Sequence, residues 1–178
     1  MTDLQMLKPL ISAENISVKI EALADSLSET VGSDWAAVAL MDGALVFAAD
    51  ILRALYRRGV NVEFENMTLS SYGDDIQSAG TVTVQKGLTR DVTGKSVLLI
   101  DDVYETGLTL SNAADMIMAA GAKEVKSCVF AYKHGYSGEA CLPDFSGWDA
   151  PDAFLVGYGM DFKGRYRGLP FIADLLGS

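Results

Sequence analysis

The apolar positions of this chain change period several times, and each change marks a new element. Ile16, Ile20, Leu23, Leu27 and Val31 recur at spacings of three and four, one face of a helix, with Ser12 placed to cap it and Gly32-Ser33 to end it. Trp35–Met41 (WAAVALM) is a short apolar run suited to a buried strand. From Gly43 the pattern is helical again as far as Gly59, and Val60, Val62 and Phe64 then alternate with polar residues as a strand does. Ser70–Gly80 (SSYGDDIQSAG) has no period and is expected to be a long mobile loop. Strands are expected at Thr81–Gln85, Ser96–Ile100 and Glu124–Tyr132, a turn at Asp91–Gly94, and a helix over Leu108–Ala120 closed by Gly121. Short strand-like pieces lie around Phe154–Tyr158, and the tail Phe171–Leu176 is expected to form a turn of helix.

Apolar strands alternating with helices predict an α/β fold with a mainly parallel sheet flanked by helices, in one domain spanning residues 1–178. In such sheets ligands bind beyond the carboxyl ends of the strands, which directs attention to the loops after Met41, Ile100, Tyr132 and Val156.

Composition narrows the chemistry. The chain is 49% hydrophobic, enough for a real core, and its net charge of −10 argues against nucleic-acid or anionic-membrane partners. A small phosphorylated ligand held by backbone amides stays compatible with that charge. His134 is the only histidine and the cysteines are Cys128 and Cys141, so neither a zinc site nor a disulfide framework is expected. No secretory leader and no apolar run near the roughly 18 residues of a membrane span is visible, and a reducing cytoplasm is the expected setting.

The segment after Ile100, Asp101-Asp102-Val103-Tyr104-Glu105-Thr106-Gly107-Leu108-Thr109, carries three carboxylates, two threonines and a glycine between an apolar strand and a helix. Gly107 lets backbone approach a ligand, the amides opening the helix favour a phosphate, and Thr106 and Thr109 add hydroxyl donors. Asp101 and Asp102 would repel that phosphate; sugar hydroxyls or a Mg²⁺-bound water suit them better. The blander alternative is that Asp102 and Thr109 only cap the helix. The segment is not a Walker loop, because the G-K-[ST] ending is missing.

The whole pattern, an apolar strand, two acids and a turn ending T-G-x-T, resembles the loop that binds 5-phosphoribosyl-1-pyrophosphate (PRPP) in type I phosphoribosyltransferases. Ser71-Tyr72, Lys133, the segment Pro151–Tyr158 (PDAFLVGY), Asp161 and Arg167 resemble the hypoxanthine-guanine branch of that family. The resemblance implies a small hood formed by the terminal segments. It also implies Mg²⁺-dependent transfer of phosphoribosyl from PRPP to a 6-oxopurine, in purine salvage, by a homodimer or homotetramer. Glu105 would be the catalytic acid or base, and Asp101, Asp102, Thr106, Gly107, Leu108 and Thr109 would hold PRPP. Lys133, Phe154 and Leu155 would hold the purine, with Trp148 as a further pocket residue. Asp42, Gly43 and Arg167 would meet pyrophosphate, Ser71 and Tyr72 would close over the site, and Asp161 with Asp101 and Asp102 would bind the metal. Two residues depart from the family's habit: Glu105 stands where Asp is usual, and Asp42 where Lys or Arg is usual. They leave open a non-catalytic PRPP- or nucleotide-binding regulator, and a transferase for another base such as xanthine.

Overall fold

Six strands form the main sheet in the order β4 (Val82–Lys86), β3 (Glu63–Ser71), β2 (Ala36–Met41), β5 (Ser96–Tyr104), β6 (Glu124–Lys133) and β7 (Phe145–Ala150). All neighbours are parallel except β3 and β4. The computed structural model describes residues 7–71, 82–134 and 142–176.

Alternation within the central strands fixes the layers. Ala37 and Ala39 of β2, with Leu98 and Ile100 of β5, pack toward helices α1 (Ala13–Ser28) and α2 (Leu45–Arg57). Val38 and Leu40, with Val97 and Leu99, pack on the opposite side against Leu110, Ala113 and Ile117 of α3 (Leu108–Ala119). A strand covered on both faces needs apolar residues at every position, which is why β2 and β5 read as unbroken runs. Phe47 and Phe130 are fully buried with ring centroids 5.7 Å apart, and each side chain contributes roughly 1.5–3 kcal/mol by leaving water. Ser12 caps α1 as expected, its hydroxyl accepting from the Asn15 amide at 3.3 Å. Cys128 is fully buried in the core on the α1–α2 side, and burial pushes its thiol pKa up.

A second, antiparallel sheet of β1 (Leu7–Ile11), β9 (Ile172–Leu175) and β8 (Leu155–Val156) forms the hood expected from the chain's terminal segments. The tail is therefore a strand and not the expected turn of helix. Ile172, Ala173 and Leu175 are buried between partners that lie far away in sequence, so local pattern could not reveal the pairing. Two further expectations are corrected. β5 runs four residues past Ile100, so Asp101–Tyr104 lie on the strand and not in a loop. β3 starts at Glu63 and carries Ser70 and Ser71, which were expected in the loop; Tyr72 and the rest of that segment lie outside the described residues. No described helix is long and apolar enough to cross a membrane.

The β2–α2–β3 connection steps one way across the sheet and β5–α3–β6 steps the other. The chain thus reverses between β2 and β5, and a crevice opens beyond their carboxyl ends.

Candidate active site

That crevice is a cleft of about 450 Å³, walled by Leu40, Met41 and Gly43 at the end of β2 and by Asp101–Gly107 at the end of β5. Leu69, Thr109, Leu110, Asp161 and Arg167 complete it. α3 begins here with Gly107 as its N-cap, at φ 75°, a left-handed conformation that costs glycine little. No side chain caps the helix, so the capping alternative for Asp102 and Thr109 is excluded. The first-turn amides are left for another acceptor at the positive end of the dipole. Among the described residues, only the Leu108 amide has a nearby side-chain oxygen, donating to Thr106 Oγ1 at 3.4 Å. Leu108 itself points its side chain to solvent.

Gly43 is required by a close approach: a Cβ there would lie 2.7 Å from Asp102 Cγ. The Met41–Asp42 peptide preceding it is cis. Met41 and Gly43 face the cleft, whereas Asp42 is exposed and stands outside its wall, so the expected pyrophosphate set is only partly brought together.

Asp101 is buried and Asp102 half-buried. Asp101 Oδ1 accepts from the Asp102 amide at 3.0 Å, and Asp102 Oδ1 from the Val103 amide at 2.9 Å. Burial raises both carboxyl pKa values; the charge of Asp102 raises Asp101 further, while the Arg167 guanidinium pulls Asp102 the other way. Their burial and closeness disfavour carrying two negative charges, and their oxygens can accept from adjacent sugar hydroxyls. Arg167 reaches the cleft from the 157–169 segment, donating to the Gly159 carbonyl at 2.7 Å and pairing with Asp161 at 2.8 Å. Asp161 also accepts from the Gly164 amide at 2.7 Å.

A second opening of about 420 Å³ lies beside the first, walled by Lys133, Asp152, Ala153, Phe154 and Asp174–Leu176. Glu105 lines both. Lys133 ends β6 with only 8% of its side chain exposed, so it is not a surface lysine; its ammonium donates to Glu105 Oε1 at 3.0 Å. Glu105, 44% exposed, precedes the helix and is not in its first turn. Phe154 presents a ring to solvent, held edge-on against Phe162 at 5.6 Å. Leu155 is buried on β8. Trp148, expected in the pocket, instead packs against Phe130 in the core, at 6.5 Å.

Among the described residues no three carboxylate, histidine or cysteine side chains are arranged to hold a metal, so Asp101, Asp102 and Asp161 do not form a closed cage. Magnesium rarely needs one: it keeps waters and takes one or two carboxylates together with substrate phosphate oxygens. Asp102 and Asp161, hard oxygen donors on one cleft, fit that pattern.

Sequence reasoning missed Asp174, which reaches the second opening only through the hood pairing, and the Glu105–Lys133 contact, whose residues stand 28 apart. Placing β5 beside β6 in register would have revealed the latter.

Residues 10–163 match the family described as phosphoribosyl transferase domain. The chain is 39% identical over 166 residues to a hypoxanthine-guanine phosphoribosyltransferase of Aquifex aeolicus, covering 92% of each. It is similar to the crystal structure of a hypoxanthine-guanine phosphoribosyltransferase from Bacillus anthracis with HEPES in its active site, at TM-score 0.88 and 32% identity, covering 95% of this chain and 98% of that one. It is also similar, at TM-score 0.88 and 26% identity over 97% of both chains, to the glutamic acid mutant from an analysis of an invariant aspartic acid in HPRTs.

Proposed function

The chain belongs to the phosphoribosyl transferase family, and on that premise we propose that it serves purine salvage, joining the 5-phosphoribosyl group of PRPP to hypoxanthine or guanine and releasing pyrophosphate. The observation that carries this reading is Glu105, a carboxylate shared by two adjoining clefts and paired with the buried Lys133 ammonium at 3.0 Å. One cleft offers free helix amides and hydroxyls for the 5-phosphate, the other a cation and an aromatic face for a base.

In this scheme the Thr106–Thr109 turn holds the 5-phosphate, and Asp101 and Asp102 hold the ribose hydroxyls. The Gly43 backbone and Arg167 meet the pyrophosphate, with Asp42 beside them. Asp102 and Asp161, with Asp101 behind them, would hold a Mg²⁺ arriving with PRPP, and that ion would neutralise charge on the departing pyrophosphate. Phe154 stacks on the purine and the Leu155 backbone meets its edge. The Lys133 ammonium donates to the 6-oxo group; the amine of adenine would offer it no acceptor of that kind. Glu105 takes the N7 proton as the new C–N bond forms. By the family resemblance alone, Ser71 and Tyr72 are assigned to closing over the site and excluding water.

The test is PRPP and Mg²⁺ with hypoxanthine, guanine, xanthine and adenine in turn. IMP and GMP are expected to form with stoichiometric pyrophosphate, and adenine to stay unreacted. No product above background from any 6-oxopurine overturns the proposal. Nucleotide binding by calorimetry without turnover would favour the regulatory alternative instead.

A further inference from the structure

Asp174 sits mid-strand in β9 between the buried residues Ala173 and Leu175, and is itself half-buried. Aspartate is disfavoured in strands and loses hydration there. Its register neighbours are Leu155 on one side and Lys8 on the other, yet among the described residues no hydrogen bond or ion pair is formed by its carboxylate. Asp174 instead lines the opening that holds Lys133 and Phe154.

We propose that Asp174 is a specificity-determining residue that reads the C2 edge of the purine and makes this site prefer guanine; the inference rests on the 6-oxopurine reading above. The chemistry is complementary. With O6 on the Lys133 ammonium, guanine presents two adjacent donors, N1–H and the 2-amino group, and a carboxylate carries two acceptor oxygens. Hypoxanthine supplies only N1–H. Xanthine places an oxo group at C2, where a carboxylate repels it. Asp152 lines the same opening but is exposed, so water competes for its oxygens. The rival account is that Asp174 only strengthens the hood against Lys8.

Steady-state kinetics with guanine, hypoxanthine and xanthine, on wild type and the near-isosteric Asp174→Asn, separates the two. Wild type is expected to prefer guanine. The variant should lose about tenfold to a hundredfold in kcat/KM for guanine, change little for hypoxanthine, and gain for xanthine, whose oxo group now meets an amide donor. Affinities for GMP and IMP by calorimetry should shift in parallel, with no dependence on turnover. Equal losses for all three bases, or a lower Tm with the base preference intact, overturn the inference while leaving the transferase reading standing. No turnover of any 6-oxopurine by wild type overturns both.

Discussion

Glu105 is one methylene longer than the aspartate usual in the family, and the structure shows where that length goes. Lys133 is an ammonium with 8% of its side chain exposed, and such a group is costly without a partner. Glu105 reaches it at 3.0 Å. Lys133 keeps further N–H donors for the 6-oxo group of a purine, but Glu105 must leave this ion pair to reach the N7 proton. Glu105→Asp should draw the carboxylate out of that pair, raising kcat by about tenfold, because a displacement near 1 Å at the reacting atoms is worth up to about a hundredfold. Glu105→Gln keeps the length and removes the base, and should cut kcat by about a hundredfold or more. Steady-state rates for both variants check this; unchanged kcat in Glu105→Gln would remove Glu105 from proton transfer. Residue type and spacing made this carboxylate legible as a candidate. Its pairing with Lys133 was not, because a contact between the ends of two neighbouring strands depends on register, and nothing local in either segment specifies it.

Elements were legible where both faces of a strand are buried or where a helix shows one apolar stripe, as in β2, β5, α1 and α2. They were illegible at the edges. β1 contains Pro9 and pairs with β9 from the far end of the chain, while β7 contains Gly147 and pairs on one side only, with β6, so neither has a strong pattern of its own. The β3–β4 edge hides a further determinant. Glu65, 6% exposed, accepts from the Thr89 hydroxyl at 2.6 Å and from the amides of Asn66, Thr89 and Arg90 at 2.9, 3.2 and 3.0 Å. This carboxylate ties the segment after β4 back onto β3. Burial works to raise its pKa, but the hydrogen bonds from Thr89, Asn66 and Arg90 outweigh it and hold the carboxyl below its usual 4.5. A carboxyl depressed in the folded state stabilises above its unfolded pKa and loses that contribution as pH falls through the folded value. Glu65→Gln should therefore cost about 2–4 kcal/mol at pH 7, since an amide presents donors to donors. The Tm gap between wild type and variant should narrow steadily below about pH 4.5. Thermal melts from pH 7 to 3 test this, and a gap that is constant with pH would show that the ionised form contributes nothing special.

At the scale of the whole molecule, the reversal of chain direction between β2 and β5 sets the cleft, and the hood supplies the wall that carries Phe154 and Asp174. The cleft is locally hospitable to anions, through Arg167 and the uncapped start of α3. The chain as a whole is not, with a net charge of −10. These two fields differ in range. Scattered surface carboxylates act over distances comparable with the Debye length, about 10 Å at 0.1 M, and salt screens them; hydrogen bonds at the helix terminus are short and largely survive. Added salt should therefore help a multiply charged anion reach the site. At fixed free Mg²⁺, kcat/KM for PRPP is expected to rise severalfold from about 10 mM to about 150 mM ionic strength, while that for the neutral purine stays level. Asp42, exposed beside the Gly43 wall, contributes to the repulsion most directly. Asp42→Lys removes one negative charge and adds one positive, taking the net charge from −10 to −8. It should raise the low-salt kcat/KM for PRPP and flatten its salt dependence. A wild-type kcat/KM that falls with salt would mean instead that the cation and dipoles of the cleft govern approach from a distance, and that the surplus of carboxylates elsewhere on the surface has no part in substrate capture.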